Sequence, residues 1–195
     1  QVGYEDTSTD YATLAQAVVD AGCTSALLVS YATDGAGIIE ELAGLGYEGD
    51  IYGADGIAEE GLAAGMSDTT LVDGIIATKP AAAGTPGTVA MVFGSLCAQS
   101  TDCAGGIYTA EAFDAVTIVA FAAFTALATP GLDAGSAVMG TGQGWNGASG
   151  TISFLTNGDV PAAGFCIGEF STATDGTVSY DCARSWDPVN GITTA

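Results

Sequence analysis

Histidine is absent from this 195-residue chain and bases nearly so: Lys79 and Arg184 stand against 23 acidic residues, a formal net charge of −21. Without histidine there is no Ser-His-Asp triad, no H-E-x-x-H zinc site and no imidazole base near neutral pH. Two cations cannot neutralise a phosphate backbone, which excludes nucleic acids and anionic membranes as partners. The sole lysine precedes Pro80, outside any G-x4-G-K-[ST] context, so no phosphate loop exists. Gly140-Thr141-Gly142-Gln143-Gly144 approaches a dinucleotide fingerprint, but Trp145 stands where the third glycine belongs and no strand precedes it. Gly147-Ala148-Ser149-Gly150 lacks the spacing of a nucleophile elbow. No segment matches the calcium-loop pattern D-x-[DN]-x-[DN]-G-x5-E; Glu5-Asp6-Thr7-Ser8-Thr9-Asp10 is at most a weak cation site. Neither a metal nor a cofactor is expected, and no pair of carboxylates is singled out for acid–base work.

Long apolar runs are also missing. The richest stretch, 110–128, carries Glu111 and Asp114 near its start and is expected to be a buried helix rather than a membrane span. Gln1-Val2-Gly3-Tyr4 has neither the basic start nor the apolar run of a leader, as expected of a mature or truncated secreted chain. The acid excess reads as a solvated carboxylate surface, whose self-repulsion salt would screen.

Five cysteines are present. Cys97 and Cys103 close a short polar loop, and Cys166 and Cys182 lie roughly opposite each other on two strand-like segments joined at Asp175-Gly176. Both pairs are expected as disulfides, with Cys23 a buried free thiol, and two bridges imply an oxidising compartment.

The first third alternates helix-period and strand-period segments. Asp10 to Ala21 places Tyr11, Leu14, Ala15, Val18 and Val19 on one helical face behind an N-cap at Ser8, Thr9 or Asp10. Ser25 to Tyr31 is a continuous apolar run, expected as a strand buried on both faces. A second helix presents Ile38, Ile39, Leu42 and Leu45 inward. Asp50 to Gly53 is the next strand; an acidic helix start follows at Glu59-Glu60, and Leu71 to Thr78 is a further strand. This order predicts an α/β fold: a parallel sheet with helices on both faces, a three-layer αβα lobe. Residues 81–87 read as a linker between lobes and Gly140 to Gly144 as a second crossing. The tail from Thr151 reads as antiparallel strands, with a C-terminal hairpin of Phe165 to Phe170 and Val178 to Cys182.

In an open parallel sheet, ligands bind at the carboxyl ends of the strands. Two strands end in Ser30-Tyr31-Ala32-Thr33-Asp34 and Gly53-Ala54-Asp55-Gly56. If these strands are neighbours, Tyr31 and Asp55 converge on one crevice, and a phenol beside a carboxylate suits an ammonium group. The alternative is an Asp-Gly turn residue at Asp55 and a packing residue at Tyr31. Spacing leaves both open.

Three segments carry a resemblance: TDYATLAQAVVDAGCTSALLVSYATDGAGIIEELAGLGYEGDIYGADG, GIYTAEAFDAV and GASGTISFLTNGDV. In this order, to about Phe170, the chain resembles the branched-chain amino-acid-binding branch of the type I periplasmic binding proteins. The resemblance implies two αβα lobes that close on a ligand by hinge motion, with 1–79 and 148–195 as the C-terminal lobe and 80–147 as helices of an incomplete N-terminal lobe. It places Tyr31, Asp55 and Gly56 at the ligand, with Tyr108 near the cleft side of the long helix. It also implies no enzyme, a small polar ligand (an amino acid or amide), an ABC-transporter permease as partner and a periplasmic or extracellular location, with a lipid anchor through an absent N-terminus as one option. The family's first half has no counterpart here, so a missing N-terminal lobe or a partner chain is expected. Asp55 stands where close amino-acid binders often carry Glu. The alternatives are a ligand-sensing ectodomain of the same fold and a secreted structural or surface protein reusing it.

Overall fold

The computed structural model describes all residues except 6–9, 81–87, 101–102, 104–107, 162–163 and 195. In chain order the elements are α1 (Tyr11–Asp20), β1 (Ser25–Leu28), α2 (Ala32–Gly44), β2 (Asp50–Gly53), β3 (Ile76–Pro80), α3 (Thr88–Cys97), α4 (Thr109–Ala128), α5 (Ala134–Thr141), β4 (Trp145–Asn146), β5 (Thr151–Ile152), β6 (Phe165–Thr172), β7 (Val178–Asp187) and β8 (Gly191–Thr194). They form two compact units, Gln1–Ala81 with Phe165–Ala195, and Ala82–Gly164.

The first unit is a six-stranded sheet in the order β1-β2-β3-β6-β7-β8. The first three strands are parallel and the rest antiparallel, a mixed sheet with packed helices. Asp10 caps α1 by accepting the Thr13 N–H at 3.3 Å, and Tyr11 lies against Gly37 of α2, where a Cβ would overlap its ring. One sheet face is sealed by Ile39 and Leu42 from α2 and by Phe170 from β6, each 1% exposed.

Between β2 and β3 the expected α-helix is replaced by three short 3₁₀ turns, Asp55–Ile57, Glu60–Ala63 and Thr69–Val72, and β3 begins only at Ile76. Gly61, Gly65 and Gly74 interrupt any longer helix, since glycine is costly in a helix interior. The turns still do the packing of a helix: Ile57, Leu62 and Val72 are fully buried.

Three further expectations are corrected. The run after Ser25 is not buried on both faces: Leu27 is 66% and Val29 74% exposed. β1 is an edge strand, and side chains alternate across it, so only Ala26 and Leu28 turn toward the packed face. Cys23 is exposed rather than buried, because α1 ends at Asp20 and the thiol falls in the connection to β1. The stretch 151–154 does not join the C-terminal antiparallel strands; β5 pairs with β4 inside the second unit, so the break between units lies after Gly164.

The C-terminal strands are longer than the hairpin read from sequence and are locked at a bulge. The Tyr180 hydroxyl donates to the Ala77 carbonyl (2.8 Å) and accepts the Gly168 N–H (3.1 Å), and burial pushes its pKa up. Lys79 Nζ lies 4.7 Å from the centre of the Tyr180 ring, a cation–π contact. Cys166 and Cys182 form a disulfide across these strands, Cα atoms 5.5 Å apart.

In the second unit, Asp133 caps α5 by accepting the Ser136 N–H at 2.9 Å, and Cys97 pairs with Cys103. Helix α4 contradicts the expectation of a buried helix. It is long and apolar enough to cross a membrane, and only 17% of its most apolar window is buried. Val116, Phe124 and Leu127 are 70%, 74% and 86% exposed. Its inward stripe is Asp114, Ile118 and Ala122, an i, i+4, i+8 row too narrow to hide the rest.

Candidate functional site

β1 and β2 are adjacent and parallel, with Leu28 opposite Gly53, so their carboxyl ends lie side by side. The Ala54 N–H donates to the Leu28 carbonyl at 3.0 Å, extending the pairing by one residue into the loops. Tyr31 is then the N-cap of α2, and its carbonyl accepts the Gly35 N–H at 2.8 Å. Asp55 and Gly56 open the 3₁₀ turn beyond β2. A Cβ at Gly56 would collide with the Ser30 carbonyl oxygen and stand 3.3 Å from Tyr31 Cδ1. Glycine is therefore required at position 56 by close approach of the two loops, and the Tyr31 ring lies along the turn that carries Asp55. Tyr31 is 79% exposed and Asp55 half-buried. The structure brings three of the four sequence-selected residues to one rim of the first unit.

The fourth, Tyr108, belongs to the second unit. It caps α4 with φ 64°, the left-handed region, which is unfavourable for a bulky side chain. Its carbonyl accepts the Ala112 N–H at 2.9 Å.

Two structural networks escaped the reading of the sequence. Beside the rim, Asp34 in the first turn of α2 accepts hydroxyls from Tyr11 (2.7 Å) and Tyr4 (3.2 Å), binding the N-terminal segment to the helix that Tyr31 caps. The hydrogen bond to Asp34 holds the Tyr11 phenol above its ordinary pKa, and burial followed by the Asp34 charge does the same for Tyr4. In the second unit the fully buried Asp114 accepts the Ala148 N–H (2.7 Å), the Ser149 N–H (2.8 Å) and the Ser149 hydroxyl (2.7 Å). A Cβ at Gly147 would strike this carboxylate, so the F-D-A segment of the helix and the G-A-S-G loop are two halves of one lock. A buried carboxylate with three donors is satisfied, and its task here is to hold a loop.

Two concavities lie elsewhere in the first unit. One, about 350 Å³, is lined by Val19, Cys23, Thr24 and 46–49 at the amino ends of β1 and β2; the other, about 380 Å³, lies on the sheet face between Phe165, Trp186 and Ile192. Neither includes the rim.

The mixed sheet whose parallel strands end in this rim is similar in fold to solved periplasmic binding proteins, a type 1 protein of Bordetella pertussis among them. No family model and no curated protein matches the sequence, whereas solved structures match its fold. The leucine-binding protein of Thermotoga maritima superposes with a TM-score of 0.70 at 20% identity, covering 96% of this chain and 51% of its own. A solute-binding protein of an R. palustris ABC transporter, in complex with 4-hydroxybenzoate, gives 0.71 at 14% identity over 95% and 51%. The branched-chain amino acid transporter substrate-binding protein of Streptococcus pneumoniae, in complex with isoleucine, gives 0.61 at 16% over 91% and 49%. The chain spans about half the length of the solved structures it matches.

Proposed function

We propose that this chain is the ligand-contacting part of an extracytoplasmic solute-binding protein, which captures a small amino-acid-like ligand between two lobes for uptake by an ABC-transporter permease. The first unit acts as the C-terminal lobe and offers one wall of the site. Asp55 accepts the ligand's ammonium group, the Tyr31 ring covers it, and Gly56 lets the two loops close on each other. The second unit supplies helices of the N-terminal lobe, with Tyr108 approaching from that side, and hinge closure traps the ligand. No chemistry is performed on the ligand. The two disulfides suit a periplasmic or extracellular setting.

The observation that carries the reading is the rim itself: parallel neighbours β1 and β2 with Tyr31 packed on the Asp55-Gly56 turn. The ligands named in the neighbouring structures are of two chemical kinds, isoleucine and aromatic acids. A carboxylate at the rim attracts the first and repels the second. Thermal-shift screening at about 10 mM ligand is expected to show stabilisation by L-leucine, L-isoleucine or a small amide, and none by benzoate. Asp55→Ala is expected to remove it. A shift that survives Asp55→Ala, or one given by benzoate alone, sinks the assignment.

A further inference from the structure

Asp55 meets one end of the proposed ligand, and β3, the third parallel strand, brings a group of opposite sign to the same rim. β2 and β3 run in register with Gly53 opposite Ala77, so Asp55 and Lys79, each two residues further on, stand level on neighbouring chain paths. The Asp55–Ile57 turn folds onto this end of the sheet. Ile57 is fully buried, and a Cβ at Gly53 would run into its side chain and stand 3.1 Å from the Ala77 Cβ. Side chains alternate across a strand, so Lys79 leaves β3 on the face of Ala77, which this turn covers. The only other basic side chain, Arg184, lies in the row of Thr78 and Ile167 on the opposite face. Lys79 is half-buried, with its ammonium seated on the Tyr180 ring, 4.7 Å from the ring centre. That ring is itself fixed, by its hydroxyl bonds to Ala77 and Gly168 and by Phe170, 4.9 Å away. A ring face holds a cation while leaving its N–H donors for another acceptor. Among the described residues no carboxylate lies within ion-pair distance of Lys79, in a chain with 23 acids. Of the acids in the turns over this face, Glu59 folds back on Gly61 and Glu60 is exposed, while Glu169 and Asp181 lie in the row of Ile76 on the opposite face. In so acidic a chain, Lys79 is where this face attracts an anionic group.

We propose that Lys79 holds the carboxylate of the same ligand whose ammonium group meets Asp55, which makes that ligand a zwitterionic amino acid and not an amide, an amine or a simple acid. The inference rests on the reading of the rim as the ligand site and narrows its ligand class. The two charges select together. An amine or amide leaves the lysine unmatched, and an acid without an ammonium group meets Asp55 with its own sign. The lysine's flexible four-carbon stem supplies the reach from β3 to a ligand lying on the turn.

L-leucine and L-isoleucine, each titrated against its own carboxamide, differ from it only at the carboxylate. In thermal-shift titrations up to about 10 mM, the parent chain is expected to bind the amino acids at least about tenfold more tightly than the amides. Lys79→Met is expected to bring the amino acids down to the level of the amides and leave the amides unchanged, whereas Lys79→Arg keeps the preference. A lysine with a merely structural role would weaken both kinds of ligand alike. Lys79 is the sole lysine, so ¹³C-dimethylation of the folded chain gives one lysine signal. That signal, set by the Tyr180 ring, is expected to move with L-leucine and stay in place with L-leucinamide, a readout that does not depend on a variant folding. Equal binding of acid and amide by the parent chain overturns the proposal, as does a preference that survives Lys79→Met or a lysine signal that ignores L-leucine. If Asp55→Ala abolishes binding while Lys79→Met changes nothing, the rim stands as the ligand site and only the role of Lys79 falls. No shift from any of the four compounds overturns both readings.

Discussion

In the first unit Ile39, Leu42, Ile57, Leu62, Val72 and Phe170 retain 1% exposure or less, whereas in the second the deepest described side chains are Asp114, Ile118 at 2% and Ala122 at 2%. One unit closes around large aliphatic groups from helix, turn and strand; the other centres on a carboxylate locked to a loop. The first therefore draws its stability from apolar area removed from water, and the second from a few hydrogen bonds around one carboxylate.

The largest test of this contrast is a pair of truncations. Leu42→Ala is expected to cost about 3–4 kcal/mol by urea unfolding followed through the first unit's signals, and Phe124→Ala under about 0.5 kcal/mol. Comparable losses would end the distinction. Next, Asp114→Asn is expected to cost the second unit about 2–3 kcal/mol, since an amide turns a donor toward N–H groups that need an acceptor. The Ala148 and Ser149 amides should then exchange hydrogen much faster while those of β2 and β3 stay protected. Equal loss of protection in both units would show that they are one cooperative body.

The smallest effect is electrostatic. Hydrogen bonds from the Ser136 hydroxyl and N–H hold the Asp133 carboxyl below the ordinary range. A folded pKa below the unfolded one gives stability that is present above the unfolded value and lost as pH falls through the folded value. The α5 cap should therefore fail only in acid, and Ser136→Ala should move the Asp133 midpoint, read by NMR titration, back up.

The elements around the rim were legible because local chemistry fixes them. Asp10 is an N-cap, Ile38, Ile39 and Leu42 fall at helical spacing, and the strand-ending Tyr31 and Asp55-Gly56 follow from the order of strands and turns. What was misread depended on neighbours. An apolar run looks alike whether covered on two faces or one, so Leu27 and Val29 passed for core. Fifteen apolar positions among the twenty of α4 gave no period from which to judge exposure. Two acids at Glu59-Glu60 suggested a helix start, while the glycines that cut it short were spread over a dozen residues. The acid count hid Asp34 and Asp114 among 23, because a carboxylate that clasps two phenols is spelled like one that faces water.

The attachment of Tyr4 and Tyr11 to Asp34 fixes where the segment ahead of α1 runs. Gln1 is three residues from Tyr4, within about 10 Å of the helix that Tyr31 caps. An affinity handle or fluorophore fused ahead of Gln1 will crowd the very loops that are to be probed. Labels belong after Thr194, at the outer strand of the sheet.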